Sequence, residues 1–222
     1  KIEEVRARML ADEREVEFVD YGSGKRRLGD EAKDNRIVKN IAKGSLAKKK
    51  YAQMMARLVN WLGTSQSLNI VELGTSLGVT TAYLAAVDSR NKVVTYEGCP
   101  AVAEIAKENW KTLGLSNIEC VVGEITVDSL QITVDSLRGI DVAFIDANHT
   151  HAGTRVYFNV LAEKMHEKSV MIVDDSHYNE EMEKAWQEIC EDKRVTSTMD
   201  LYQMGLVFFD KNYWRKNYKI RL

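Results

Sequence analysis

From Leu68 onward, short apolar runs alternate with segments whose apolar positions recur at helical spacing. The runs are Asn69–Leu73, Lys92–Glu97, Ile118–Val122, Asp141–Asp146 and Ser169–Asp174, and Val79–Asp88, Ala101–Leu113 and Thr154–Lys168 separate them as helices. Continuous apolar strands alternating with helices predict an α/β fold around a parallel sheet buried on both faces. Beyond the fifth run, Glu180–Asp192 is amphipathic through Met182, Ala185, Trp186 and Ile189, which predicts a further helix. Two last runs, Val195–Met199 and Met204–Asp210, are joined by Asp200–Gln203. That connection is too short for a helical crossover, so the pair is expected to be antiparallel.

Residues 1–66 read differently, as a helical extension ahead of a domain spanning 67–222. Ile2–Glu17 is charged with scattered apolar positions, and Asp20–Lys25 (DYGSGK) reads as a loop. Tyr51–Leu62 is a clearer helix, with Tyr51, Met54, Met55, Leu58 and Leu62 on one face. A tandem repeat, Ile125–Gln131 (ITVDSLQ) then Ile132–Arg138 (ITVDSLR), is too short for a solenoid and reads as a lengthened surface connection.

The chemistry concentrates at the carboxyl ends of the strands, where open parallel sheets bind ligands. Ile70–Ala86 (IVELGTSLGVTTAYLAA) is a strand ending in an acid, a turn through Gly74 and Gly78, and a helix. The first N–H groups of such a helix face whatever the loop holds, and glycine lets a ligand come close to the main chain. Glu97 closes the next run about 20 residues on, the spacing at which an acid takes ribose hydroxyls. The pair indicates a nucleotide-like ligand. Asp146, Asp174 and Asp175 gather three carboxylates at neighbouring strand ends, and such a group suits Mg²⁺ or another divalent cation as well as an unoccupied cluster of loop acids. His149 is the candidate general base for a substrate hydroxyl, with a surface loop histidine as the alternative. His151 and His177 are weaker candidates for substrate contact.

Composition narrows the partners. The net charge is -2 and the sequence pI about 6.2, which gives no overall argument for nucleic acid or membrane. Charge is uneven, with eleven Lys/Arg against three Asp/Glu between Lys25 and Arg57. This stretch is either a solvated helical face or a positive rim for an acidic substrate. Cys99, Cys120 and Cys190 are far apart with no metal-ligand spacing, which fits a reducing cytoplasm. No apolar stretch approaches the ~18 residues of a membrane span, and no signal-peptide pattern stands at the N-terminus. The chain begins at Lys1 rather than Met, leaving room for an upstream segment.

At this level the chain resembles the class I S-adenosylmethionine-dependent methyltransferases, and within them the small-molecule O-methyltransferases related to catechol O-methyltransferase. VELGTSLG (Val71–Gly78) is similar to that family's first motif, VTYEGCP (Val94–Pro100) to its ribose-holding motif, and VVGEI (Val121–Ile125) to its adenine loop. AFIDANHTH (Ala143–His151) resembles the fourth-strand motif. The resemblance implies a Rossmann-like, doubly wound sheet of seven strands, mostly parallel with the last reversed. It also implies that Glu72, Gly74, Thr75, Ser76 and Gly78 hold the methionine part of S-adenosylmethionine. Glu97 with Gly98 would hold the ribose, Gly123 and Glu124 would flank the adenine, and Asp146 would touch the cofactor. In metal-dependent relatives an Asp–Asn pair and a lysine base complete the site; here those positions carry Asp174–Asp175 and His149. The implied activity is methyl transfer to a hydroxyl of a small molecule, with residues 1–66 covering the site or building a homodimer contact. Three alternatives stand beside it. A methyltransferase acting on RNA or protein is one, although an acidic pI argues against RNA. A cofactor-binding protein without turnover is another. An NAD-dependent dehydrogenase is disfavoured because Ser76 stands where the second glycine of its loop belongs.

Overall fold

The computed structural model describes residues 1–19, 21, 33–212 and 214–221. Most of the Asp20–Lys25 loop and the first part of the basic stretch, residues 25–32, lie outside the described residues. The elements in chain order are α1 (Ile2–Ala11), β1 (Glu15–Val19), β2 (Lys33–Ile37), α2 (Val38–Ser45), α3 (Lys49–Leu62), β3 (Asn69–Leu73), α4 (Val79–Ala85) and β4 (Lys92–Glu97). They continue with α5 (Pro100–Leu113), β5 (Ile118–Val122), α6 (Val127–Ser136), β6 (Ile140–Ile145), α7 (His151–Ala162), β7 (Met165–Asp174), α8 (Glu180–Glu191), β8 (Ser197–Asp200), β9 (Met204–Phe208) and β10 (Lys216–Lys219).

The main sheet has the order β10-β8-β9-β7-β6-β3-β4-β5. Its centre is parallel, with Ile70 opposite Val142 in β3–β6 and Val142 opposite Val170 in β6–β7. Strand β9 runs antiparallel to both β7 and β8, as the short Asp200–Gln203 connection requires. The Rossmann-like sheet with a reversed strand is therefore present in β3–β9. The expected count of seven is corrected to eight, because β10 pairs in parallel with β8 at the edge. Its sequence, KNYK, is polar and exposed throughout, so it carries no hydrophobic signal.

Two compact units are present. The first comprises Lys1–Tyr21, Lys25–Leu68 and Gly74–Glu124. Its core joins Val5 and Met9 of α1, Val38, Ile41 and Ala42 of α2, Leu77 and Val79, and Cys99, Val102 and Ile105 at α5. Polar bonds fasten α1 in place. Tyr83 donates to Glu3 at 2.7 Å, and Arg8 donates to Asn109 at 2.7 Å. The extension, expected to be helical, also contains an antiparallel β1–β2 pair, in which Glu15 faces Ile37. In α3 the buried residues are Tyr51, Ala52, Met55 and Val59, so the buried stripe is rotated from the expected face, which included Met54, Leu58 and Leu62.

The second unit holds Asn69–Leu73 and Ile125–Leu222. Here most of the tandem repeat, expected as a lengthened surface connection, forms helix α6. Thr126 caps it through a reciprocal pair of bonds with Ser129. Leu130 and Val134, about one helical turn apart, are the buried residues of this helix, and Leu137 is buried as its extended C-cap. Helix α8 packs Trp186 against β9, and a Cβ on Gly205 would stand 2.2 Å from Cη2 of that ring. Gly205→Ala is expected to destabilise the protein by about 1–3 kcal/mol through overpacking. Denaturant melts check this, and an unchanged midpoint would mean that Trp186 moves aside freely.

Candidate active site

The glycine loop belongs to the first unit. Gly74 takes φ 101°, and the N–H groups of Gly74 and Thr75 both donate to the Tyr96 carbonyl, at 3.1 and 2.9 Å. Thr75 and Thr95 share a buried hydroxyl bond of 2.6 Å. Ser76, forced to φ 48°, donates its N–H to Glu97 Oε2 at 2.7 Å. Cys99 donates to the other oxygen, Oε1, at 2.9 Å. A carboxylate clamped by two main-chain donors is held rigidly. Gly78 takes φ 72° and opens α4. A Cβ there would lie 2.5 Å from Trp110 Nε1, which donates to the Gly78 carbonyl at 2.8 Å. Gly123 takes φ 126°, with open space where a Cβ would point, and Glu124 is exposed. The turn thus presents one rigidly fixed acid and a glycine with open space beside it.

The second unit carries the acidic cluster. Glu72 and Asp174 are buried, at 0% and 8% exposure, while Asp146 and Asp175 are half-buried. The His149 ring stands with Nε2 3.4 Å from Asp146 Oδ1 and 3.6 Å from Asp175 Oδ2. Three left-handed residues build this corner: Asn148 (φ 70°), His149 (φ 47°) and Asp175 (φ 52°). Non-glycine residues in that region carry strain that the surroundings must hold. Here the Asn148 side chain accepts from Thr150 at 2.9 Å, Thr150 caps α7 through the Gly153 N–H, and Asn179 donates to the His149 carbonyl at 3.4 Å. Gln203 donates to Asp175 Oδ1 at 2.7 Å.

Electrostatics follow from burial and crowding. Burial, aided by the charges of Asp146 and Asp175, pushes the Asp174 carboxyl up to about 8. Asp175 is also raised, chiefly by burial, with His149 pulling the other way. Burial alone would lower His149, but the Asp146 and Asp175 carboxylates outweigh it and hold the imidazole above its usual value.

Among the described residues, no group of three His, Cys, Asp or Glu side chains is disposed to hold a metal ion. His149 occupies the space between Asp146 and Asp175 that a shared cation would need, and Gln203 already binds Asp175. As placed, Asp146, Asp174 and Asp175 do not fit a divalent cation, and the His149 ring stands among their carboxylates instead.

Gly74, Thr75, Ser76, Gly78, Glu97, Gly98 and Gly123 thus sit around one turn of the first unit, and Asp146, His149, Asp174 and Asp175 around one corner of the second. The other histidines lie elsewhere. His151 pairs with Glu188 at 3.0 Å, and His177 pairs with Asp200 at 2.9 Å while stacking on Tyr202. Sequence reasoning missed Gln203, which looked like a turn residue, and Tyr178, whose ring lies 5.9 Å from that of His149. It also missed Ser45 and Tyr21, which touch the glycine loop and Gly98 with no motif to mark them.

Residues 71–176 match the family described as "Methyltransferase domain". The fold is similar to that of an O-methyltransferase from Bacillus cereus in complex with SAH, at 22% identity and a TM-score of 0.61, covering 77% of this chain and 88% of that one. It is similar too to the O-methyltransferase TomG from Streptomyces achromogenes in complex with SAM, at 19% identity and a TM-score of 0.61, covering 74% and 82%. A protein-L-isoaspartate O-methyltransferase from Archaeoglobus fulgidus is 36% identical over 72 residues, 32% of this chain and 33% of its own length. The chain spans only 23% to 33% of the curated relatives it matches. The resemblance read from the motifs is borne out, and no helix among the described residues is long and apolar enough to cross a membrane.

Proposed function

We propose that the protein transfers a methyl group from S-adenosylmethionine to a hydroxyl of a small molecule. The observation that carries this reading is His149 between Asp146 and Asp175, within the residues 71–176 that match a methyltransferase domain. S-adenosylmethionine supplies a methyl already activated on a sulfonium sulfur, so the protein's work is to align the partners and take the acceptor's proton. Glu97, clamped by Ser76 and Cys99, takes the ribose hydroxyls. Glu72, Gly74, Thr75, Ser76 and Gly78 hold the amino-acid end, Gly98 adjoins the ribose, and Gly123 and Glu124 flank the base. Neutral His149 carries its proton on Nε2, toward the two carboxylates, which leaves Nδ1 to accept the proton of the acceptor hydroxyl. Asp146 orients that ring and stabilises the imidazolium that forms. Residues 1–66 act as the extension that sets acceptor identity, and residues 67–222 as the transfer domain.

The curated relatives favour a second reading, in which the acceptor is a carboxylate on a protein. The base separates the two, because a carboxylate is already ionised near neutral pH and needs none. Labelled S-adenosylmethionine incubated with hydroxyl-bearing and carboxyl-bearing acceptors tests the reading. Label in a base-stable ether supports the first, label in a base-labile ester supports the second, and no transfer to any acceptor contradicts both.

A further inference from the structure

The N-terminal segment touches the cofactor turn at three separate places. Ser45, the last residue of α2, shares a hydroxyl bond of 2.6 Å with Ser76 in the glycine loop. The Cys99 thiol donates to the Glu17 carbonyl of β1 at 3.5 Å. The Tyr21 ring lies flush on Gly98: a Cβ at position 98 would stand 2.7 Å from its Cδ2 and 3.4 Å from its Cγ. The residue after Glu97 is therefore bare backbone with an aromatic side chain against it. Ser76 is fastened to Glu97 by its N–H and to Ser45 by its hydroxyl. Both halves of the turn are contacted, the half carrying Glu97 and the half carrying the glycine loop.

We infer that Tyr21 and Ser45 complete the cofactor site, Tyr21 as an aromatic wall on the nucleoside side and Ser45 as a positioning residue on the amino-acid side. This rests on the reading of Glu97 as the ribose acid and of the glycine loop as the methionine cradle. An aromatic face beside a nucleoside pocket gives a flat, apolar surface for a purine or ribose, and such stacking has a large effect on affinity. Ser45 acts through Ser76: its hydroxyl fixes the Ser76 side chain in a loop already held at a left-handed backbone angle.

Two ligands separate these roles, S-adenosylhomocysteine and methylthioadenosine, which keeps the nucleoside but lacks the amino-acid end. Calorimetry on Tyr21→Ala is expected to show both ligands weakened on the order of tenfold. Ser45→Ala is expected to weaken S-adenosylhomocysteine about threefold and to leave methylthioadenosine unchanged. Thermal melts accompany each variant, and Tyr21→Leu restores bulk without an aromatic face. Wild-type affinity for both ligands in Tyr21→Ala or Tyr21→Leu overturns the wall. Equal weakening of both ligands by Ser45→Ala overturns the positioning role. Wild-type protein that binds neither ligand overturns the underlying reading, and the inference with it.

Discussion

His149→Asn is expected to lower methyl transfer to a hydroxyl acceptor by about 10²–10⁴-fold while leaving S-adenosylhomocysteine affinity within about twofold, since the methionine and ribose contacts proposed above lie on other residues. Asparagine suits the test because His149 sits at φ 47°, a left-handed conformation that asparagine tolerates better than most side chains. The amide cannot take up the acceptor's proton. The pH profile gives a second readout. Asp146 and Asp175 hold His149 above its usual value, so the wild-type rate should climb as pH rises through a midpoint above 6.5 and then level off. That ascending limb should vanish in the variant. A variant that keeps its rate and its limb would remove His149 as the base and favour the carboxylate acceptor.

Asp174→Asn is expected to stabilise the protein by about 3 kcal/mol near neutral pH. The native carboxyl is held up to about 8 by burial and by Asp146 and Asp175, against 3.8 for an ordinary aspartate. Between those values the folded state binds a proton that the unfolded chain gives up. The stability contributed by this group is therefore fully present below about pH 4 and is lost as pH rises toward 8. Asparagine needs no proton, so its advantage should be near zero at pH 4 and grow through pH 7. At about 2–4 °C per kcal/mol for a chain of this size, the melting temperature should rise by roughly 6–12 °C at pH 7. Melts of both proteins from pH 4 to 8 check the slope, and a variant no more stable than wild type at pH 7 would contradict the electrostatic account.

Most of the sheet was legible because β3, β4, β6, β7 and β9 carry buried apolar runs and β5 an apolar, half-buried one, and the reversal of β9 followed from four connecting residues. Strand β10 was not, since a polar, exposed edge strand has no periodic signal. In α6 the repeat was recognised but not as a helix, although Leu130 and Val134 stand at the spacing of one helical turn. The site divides in the same way. Glycines, Glu97 and the aspartates were readable because strand ends are where ligands bind. The bond from Ser76 to Glu97 and the meeting of His149 with Asp175 depend on left-handed turns at non-glycine residues, which sequence pattern does not mark. His151 and His177 were near enough in sequence to be grouped with His149. Side-chain direction separates them, toward Glu188 and Asp200.

On the proposed reading, the glycine loop and Glu97 hold S-adenosylmethionine, and the Asp146–His149–Asp175 corner needs no divalent cation. Calorimetric titration of S-adenosylhomocysteine, run once with EDTA and once with Mg²⁺, tests it most directly. The account predicts micromolar-range binding, about -8 kcal/mol, identical under both conditions. Absence of binding under both conditions would contradict the cofactor reading, and binding only with Mg²⁺ would contradict the metal-free corner built by Asp146, His149 and Asp175.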